Sequence, residues 1–136
     1  MGEVRSLLIV EDDAGLRGLL TEYLGDRYHC TAVVTAEEAA QLLALRAFDL
    51  ILTDLLLPGA SGLELCRLAR ARCPETGMIV MSGSTDLRHE VAAGRSGAFD
   101  YLRKPFTLLR LDGALRQSLR HQALCRELHY LTAKAG

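Results

Sequence analysis

At 136 residues, 49% of them hydrophobic, the chain is long enough for one domain with a real core and too apolar for a disordered tail. Its net charge of −1 excludes a general basic field that would draw it onto nucleic acid. No apolar run approaches the ~20 residues of a membrane span, and Met1-Gly2-Glu3-Val4-Arg5-Ser6 leads into too short an apolar stretch, Leu7 to Val10, for a signal peptide. The cysteines, Cys30, Cys66, Cys73 and Cys125, are scattered and form no metal-type pair, so they read as reduced thiols of a cytoplasmic protein, mostly packing residues.

In chain order, Leu7-Leu8-Ile9-Val10 predicts a first buried strand that ends in three acids, Glu11-Asp12-Asp13. A helix pattern follows, with Leu16, Leu19, Leu20, Tyr23 and Leu24 on one face. Acids before a helix cap it and suit its dipole, and Asp13 is well placed for that; three in a row exceed what a cap requires. Tyr28 to Val34 predicts a second strand. Thr35-Ala36-Glu37-Glu38 is a capping box that opens a second helix through about Arg46. Phe48 to Thr53 predicts the third strand, an apolar run closed by Asp54 and the Pro58-Gly59 turn. Leucine alone would allow a helix here; Pro58 and Gly59 favour the strand. Asp54 then stands either as a turn or capping residue or as a site residue at a strand's carboxyl end.

Ser61-Gly62-Leu63-Glu64 is a further capping box, opening a helix to about Arg72 that Pro74 and Gly77 end. Met78-Ile79-Val80-Met81 predicts a fourth buried strand, ending at Ser82-Gly83-Ser84. Asp86 to about Arg95 predicts a short helix, weakened by Gly94 at roughly 1 kcal/mol relative to alanine. Ala98 to Leu102 predicts the fifth strand, Lys104-Pro105-Phe106 ends it, and Thr107 caps a final helix. Apolar strands alternating with helices through short connections predict an α/β fold. The sheet is parallel and five-stranded, doubly wound and flavodoxin-like, with strand order 2-1-3-4-5.

In that topology the first and third strands are neighbours, and Glu11, Asp12 and Asp54 converge at their carboxyl ends. Adjacent carboxylates repel, so one takes a proton or a cation joins them. The donors are all oxygen, which points to a hard ion, Mg²⁺. Ser82 and Lys104 face the same crevice. A carboxylate nucleophile, a divalent cation, a hydroxyl and an ammonium are the parts of phosphoryl transfer.

From Leu7 to about Leu119 the chain resembles the receiver domains of bacterial two-component response regulators. The motifs are Val10-Glu11-Asp12-Asp13, Thr53-Asp54-Leu55-Leu56-Leu57-Pro58-Gly59 with Gly62, Met81-Ser82-Gly83, and Asp100-Tyr101-Leu102-Arg103-Lys104-Pro105-Phe106. Each is weak alone; their joint order and spacing are specific. The resemblance implies Asp54 as phosphoacceptor and Asp12, Asp54 and the Leu56 backbone carbonyl as Mg²⁺ ligands, with Glu11 reaching the metal through water. It implies Ser82 as the switch hydroxyl, Lys104 as the phosphate-contacting lysine, Tyr101 as the aromatic switch, and a cis Lys104-Pro105 bond. The responding surface is the fourth helix, fifth strand and fifth helix. Leu56 and Ser84 stand where the family varies phosphoryl lifetime. Leucine cannot orient a water and serine reaches only a short way, so slow hydrolysis is expected.

The implied function is a phosphoacceptor switch fed by a sensor histidine kinase, aiding only its own phosphorylation and dephosphorylation and regulating transcription through an output domain outside these residues. The expected division is a receiver domain at 1–120 and a helical extension at 121–136. Leu124, Leu128 and Leu131 continue the final helix at three- and four-residue steps, the seam of a homodimer or linker helix. The stop at Ala135-Gly136 suggests a chain cut from a longer protein, similar to the receivers of sigma-54-dependent activators. No DNA-reading helix pair lies within the chain, so it is expected to bind no nucleic acid and no membrane. Three other readings compete. An Mg²⁺-dependent phosphohydrolase with an aspartyl nucleophile would want a second acid soon after Asp54, where Leu55, Leu56 and Leu57 stand. A flavin module would want a phosphate cradle where Glu11-Asp12-Asp13 stand. A degenerate, protein-binding receiver would lack acids, Ser82 or Lys104, all of which are present.

Overall fold

The computed structural model describes residues 4–135, so the outermost ends of the two predicted segments, residues 1–3 and Gly136, lie outside the described residues. The elements are β1 (Arg5–Val10), α1 (Ala14–Leu24), β2 (Tyr28–Val33), α2 (Ala36–Leu45), β3 (Leu50–Asp54), α3 (Gly62–Arg72), β4 (Gly77–Ser82), α4 (Leu87–Arg95), β5 (Asp100–Arg103) and α5 (Leu108–Ala135). The strands form one parallel sheet in the order β2-β1-β3-β4-β5, as the sequence predicts.

Strands covered on both faces must be apolar at nearly every position. β3 and β4 are buried throughout, and β1 is buried from Leu7 onward. The edge strands β2 and β5 alternate or open to solvent. Period-two alternation divides the core between the two faces. Leu8, Val10, Ile51, Met78 and Val80 pack against Ala39, Leu43, Leu65, Cys66 and Ala93 of α2, α3 and α4. Leu7, Ile9, Leu50, Leu52, Ile79 and Met81 pack against Leu20, Leu24, Leu111, Ala114 and Leu115 of α1 and α5. In α1 the predicted face is trimmed: Leu20 and Leu24 are buried, but Leu19 is 53% exposed.

Side chains start the helices. Asp13, Ser61 and Asp86 each accept a backbone N–H of the first turn, from Leu16, Glu64 and Arg88. Thr35 and Glu38 close the full reciprocal box. At Ser61 only half of the predicted box forms, since Glu64 does not reach back. Thr107 accepts from Arg110 N at the start of α5.

Every strand differs from the sequence reading by one or two residues at an end, and the third and fifth begin two residues later than predicted. Phe48 is buried but outside the ladder, because pairing with β1 begins at Leu7 and Leu50. Ala98 and Phe99 also precede the β5 ladder; Ala98 N bonds back to Ala93 O at the end of α4.

α5 is one continuous helix of 28 residues. Its buried positions are Leu111, Asp112, Ala114, Leu115, Ser118 and Gln122, and Leu108 and Leu119 flank the same core. Asp112 ties α5 to α1: Tyr23 Oη donates to its Oδ2 at 2.6 Å, and Arg27 Nη2 stands 2.8 Å from Oδ1 as a charge pair. Gln122 Nε2 donates to the carbonyls of Asp49 and Glu75 at the opposite sheet edge from the acids. Beyond it Leu124, Leu128 and Leu131 are more than half exposed. Among the described residues no helix is long and apolar enough to cross a membrane.

Candidate functional site

Neighbouring parallel strands in register deliver their last residues to one edge. Val10 pairs with Thr53 and Asp54 with Met81, so Glu11, Asp54 and Ser82 emerge side by side. Glu11 is fully buried, Asp54 is 4% exposed, and Asp12 is exposed. One carboxylate oxygen from each of the three lies within 4.8 Å of the others. Lys104, carried past β5, closes the site: its Nζ donates to Glu11 Oε1 at 2.9 Å and stands 2.6 Å from Asp54 Oδ1. The second approach is a charge contact off the hydrogen-bond direction, so Asp54 Oδ1 is buried with no hydrogen-bond partner. The Lys104-Pro105 bond is cis, as the family resemblance implies.

Burial and the neighbouring acid favour a proton on Asp54. Burial, a bond to Glu11 and its charge push Asp54 up to about 8, against the opposing pull of Lys104. Burial also pushes Glu11 upward, but bonds to Asp54, Lys104 and the Asp13 N–H bring it below its ordinary value. Burial lowers Lys104 less than the two carboxylates raise it, so it stays a cation.

Asp13 caps α1, as expected, and stays outside the cluster. Ser82 is buried at the end of β4; its Oγ accepts from Ser84 N at 3.0 Å and keeps its own proton to donate. Lys104 N bonds Ser82 O at 2.7 Å, joining the two loops. Tyr101 is half-buried on the side of α2, α3 and α4, and its hydroxyl is shielded from solvent without a partner. Leu56 turns its side chain out to solvent.

Three features escaped the sequence reading. Arg17 Nη1 donates to the Glu11 and Asp12 carbonyls, pinning the acid loop; an arginine four places past Asp13 carries no signal of its own. Ser84 Oγ pairs with His89 Nδ1 at 2.7 Å, linking the loop after β4 to α4. Gly62 lies so close to Asp54 that a Cβ there would overlap the Asp54 carbonyl oxygen. Gly62 stood in the motif, but the reason it must be glycine is visible only in three dimensions.

The donor set fits a hard divalent cation. It is all oxygen, it includes a buried orphan at Asp54 Oδ1, and Asp12 lies on the solvent side where waters enter.

This fold and this edge of acids with one lysine define a receiver domain. The family model described as the response regulator receiver domain matches residues 7–116, and the chain belongs to that family. It is 33% identical over 114 residues to the DNA-binding transcriptional regulator NtrC of Escherichia coli K12, covering 83% of this chain and 24% of that protein. It is 38% identical over 114 residues to the response regulator protein PilR of Pseudomonas aeruginosa, covering 83% of this chain and 26% of that protein. It therefore spans about a quarter of the length of these curated relatives. Among solved structures, the receiver domain of an HD domain-containing protein from Pseudomonas fluorescens Pf-5 superposes with a TM-score of 0.85 at 32% identity, covering 93% of this chain and 96% of that one. NtrX from Brucella abortus in complex with ATP superposes with a TM-score of 0.87 at 29% identity, covering 95% of this chain and 30% of that one. Glu11, Asp12 and Asp54 form an acidic cluster of the kind with which receiver domains coordinate Mg²⁺.

Proposed function

We propose that the chain is a phosphorylation-driven signalling switch in which Asp54 accepts a phosphoryl group from a phosphohistidine of a sensor histidine kinase. The observation that carries the reading is the buried, orphaned Asp54 oxygen facing Lys104 beside two further acids. A bound Mg²⁺ would offset negative charge on the transferring group and displace the proton favoured on Asp54; Asp12, Asp54 and the Leu56 carbonyl would hold it, with Glu11 reaching it through water. The Asp54 carboxylate attacks phosphorus, the donor's N–P bond breaks, and the neutral imidazole leaves with a proton from solvent. Lys104 turns from the acids to the phosphoryl oxygens, and Ser82 donates its free proton to one of them. The chain turns over no separate substrate.

Drawing Ser82 toward the phosphoryl group pulls on the loop bonded to His89 of α4 and on the Lys104 loop after β5. The relay then runs through α4, β5 with Tyr101, and α5 to an output domain that controls transcription in the cytoplasm. Residues 1–120 are the receiver and 121–136 its helical extension, with homodimerisation through the exposed α5 leucines or the α4-β5-α5 face. Leu56 and Ser84 leave the acyl phosphate poorly served for hydrolysis.

Incubation with Mg²⁺ and acetyl phosphate, followed by intact-mass spectrometry, is expected to add one phosphoryl group that is lost in Asp54→Asn and with EDTA. No addition would favour a degenerate, protein-binding receiver. The adduct is expected to outlast seconds, and Leu56→Asn is expected to shorten its lifetime; a wild-type lifetime of seconds would refute slow hydrolysis.

A further inference from the structure

At the sheet edge opposite the acids, a cavity of about 450 Å³ opens beside the start of β4, the loop before β5 and α5. Five side chains of α5 line it, and three of them carry nitrogen or sulfur donors of the metal-binding kind: His121, Cys125 and His129. Steps of four advance a helix by little more than one turn each, so the three share one face. Cys125 Sγ lies 3.5 Å from His121 Nε2. Zinc bonds of ~2.3 Å to sulfur and ~2.0 Å to nitrogen, opened at a tetrahedral angle, put the two donor atoms roughly 3.5 Å apart. Phe99 leans on the His121 ring, with centroids 5.3 Å apart and planes at 40°, and restrains it beside the thiol. His129 stands one turn further along the same face, and residues four apart on a helix are neighbours. Among the described residues only the acidic cluster has three donor atoms mutually within 4.8 Å, so His129 must change rotamer to join the pair.

We propose that His121, Cys125 and His129 bind one borderline-soft divalent cation of the Zn²⁺ type. Two neutral imidazole nitrogens and a thiolate bind it, the thiol proton passes to solvent, and water takes the fourth position. Sulfur and imidazole select such an ion over Mg²⁺, which stays with the oxygen donors at the other edge. A simple thiol–imidazole hydrogen bond would explain the pair but leave His129 without a part. The bound ion clamps α5 across two turns, starting beside Gln122, its last buried side chain.

Titration of the full chain with Co²⁺ in excess Mg²⁺ tests this. A thiolate-to-cobalt charge-transfer band is expected, saturating at one Co²⁺ per chain and removed by Zn²⁺. It should vanish in Cys125→Ser, persist in Cys73→Ser and Asp54→Asn, and require about tenfold more Co²⁺ in His121→Ala and in His129→Ala. Cys73, His121, Cys125 and His129 are exposed or half-exposed, and far-ultraviolet dichroism checks that each variant keeps its fold. Absence of the band, its survival in Cys125→Ser, or unchanged affinity in His129→Ala overturns the three-residue site.

Discussion

Asp54 is a carboxyl group whose surroundings work against its charge. Its folded value of about 8 lies above the ordinary 3.8, so between those values the folded chain holds a proton that the unfolded chain has lost. In the absence of metal, stability due to this group is complete below about pH 4 and declines as pH rises towards 8. The amide introduced by Asp54→Asn does not titrate. The stability of that variant relative to wild type is therefore expected to grow from about pH 5 to about pH 8, read from urea midpoints in EDTA. A difference independent of pH would show that Asp54 holds no such proton. The same proton must leave when Mg²⁺ binds at neutral pH, so the binding heat should vary with the ionisation enthalpy of the buffer.

At the level of elements, the apolar runs made the strands legible, and strand ends made the site legible. Val10 and Thr53 lead directly into acids, and any parallel sheet with these strands adjacent brings those acids together. What remained illegible depends on contacts far apart in sequence. Phe48 is as apolar as a strand residue, but hydrophobicity reports burial rather than ladder pairing. Asp112 reads as a solvent-facing helix acid until Tyr23 of α1 and Arg27 of the turn after it meet it; burial alone would raise its carboxyl, and their bonds bring it below the ordinary value instead. Gly62 belongs here too. It lets the start of α3 lie directly on the end of β3, with Gly62 N donating to Leu55 O at 2.9 Å. Gly62→Ala must move backbone rather than a flexible side chain. A loss of about 3 kcal/mol in unfolding free energy is expected, together with weaker Mg²⁺ binding as Asp54 is displaced. Denaturant melts and a Mg²⁺ titration would check both; a wild-type melt would mean that the two backbones can part freely.

For the whole molecule, the leucines beyond Gln122 are where the proposed self-association can be weighed. Leu124, Leu128 and Leu131 are 54–63% exposed, so two chains that bury them together remove about half a side chain from water at each position. That gain is of the order of 5–9 kcal/mol, against an association cost of roughly 4–15 kcal/mol. By this balance the proposed seam would by itself give at most a weak dimer. Sedimentation equilibrium is expected to show a reversible dimer that Leu124→Lys with Leu128→Lys shifts to monomer. A monomer at high concentration, with and without a phosphoryl mimic, would rule the seam out.

α5 also has a mechanical consequence. Its last buried side chain is Gln122 and it continues helical to Ala135, an overhang of about 20 Å at ~1.5 Å per residue. The packed root acts as a fulcrum and the overhang as a lever arm. A tilt of roughly 10° about Gln122 sweeps the far end through about 3.5 Å. That is the width of an atomic contact. A change too small to open the core at the root is enough at Ala135 to make or break a neighbouring interface.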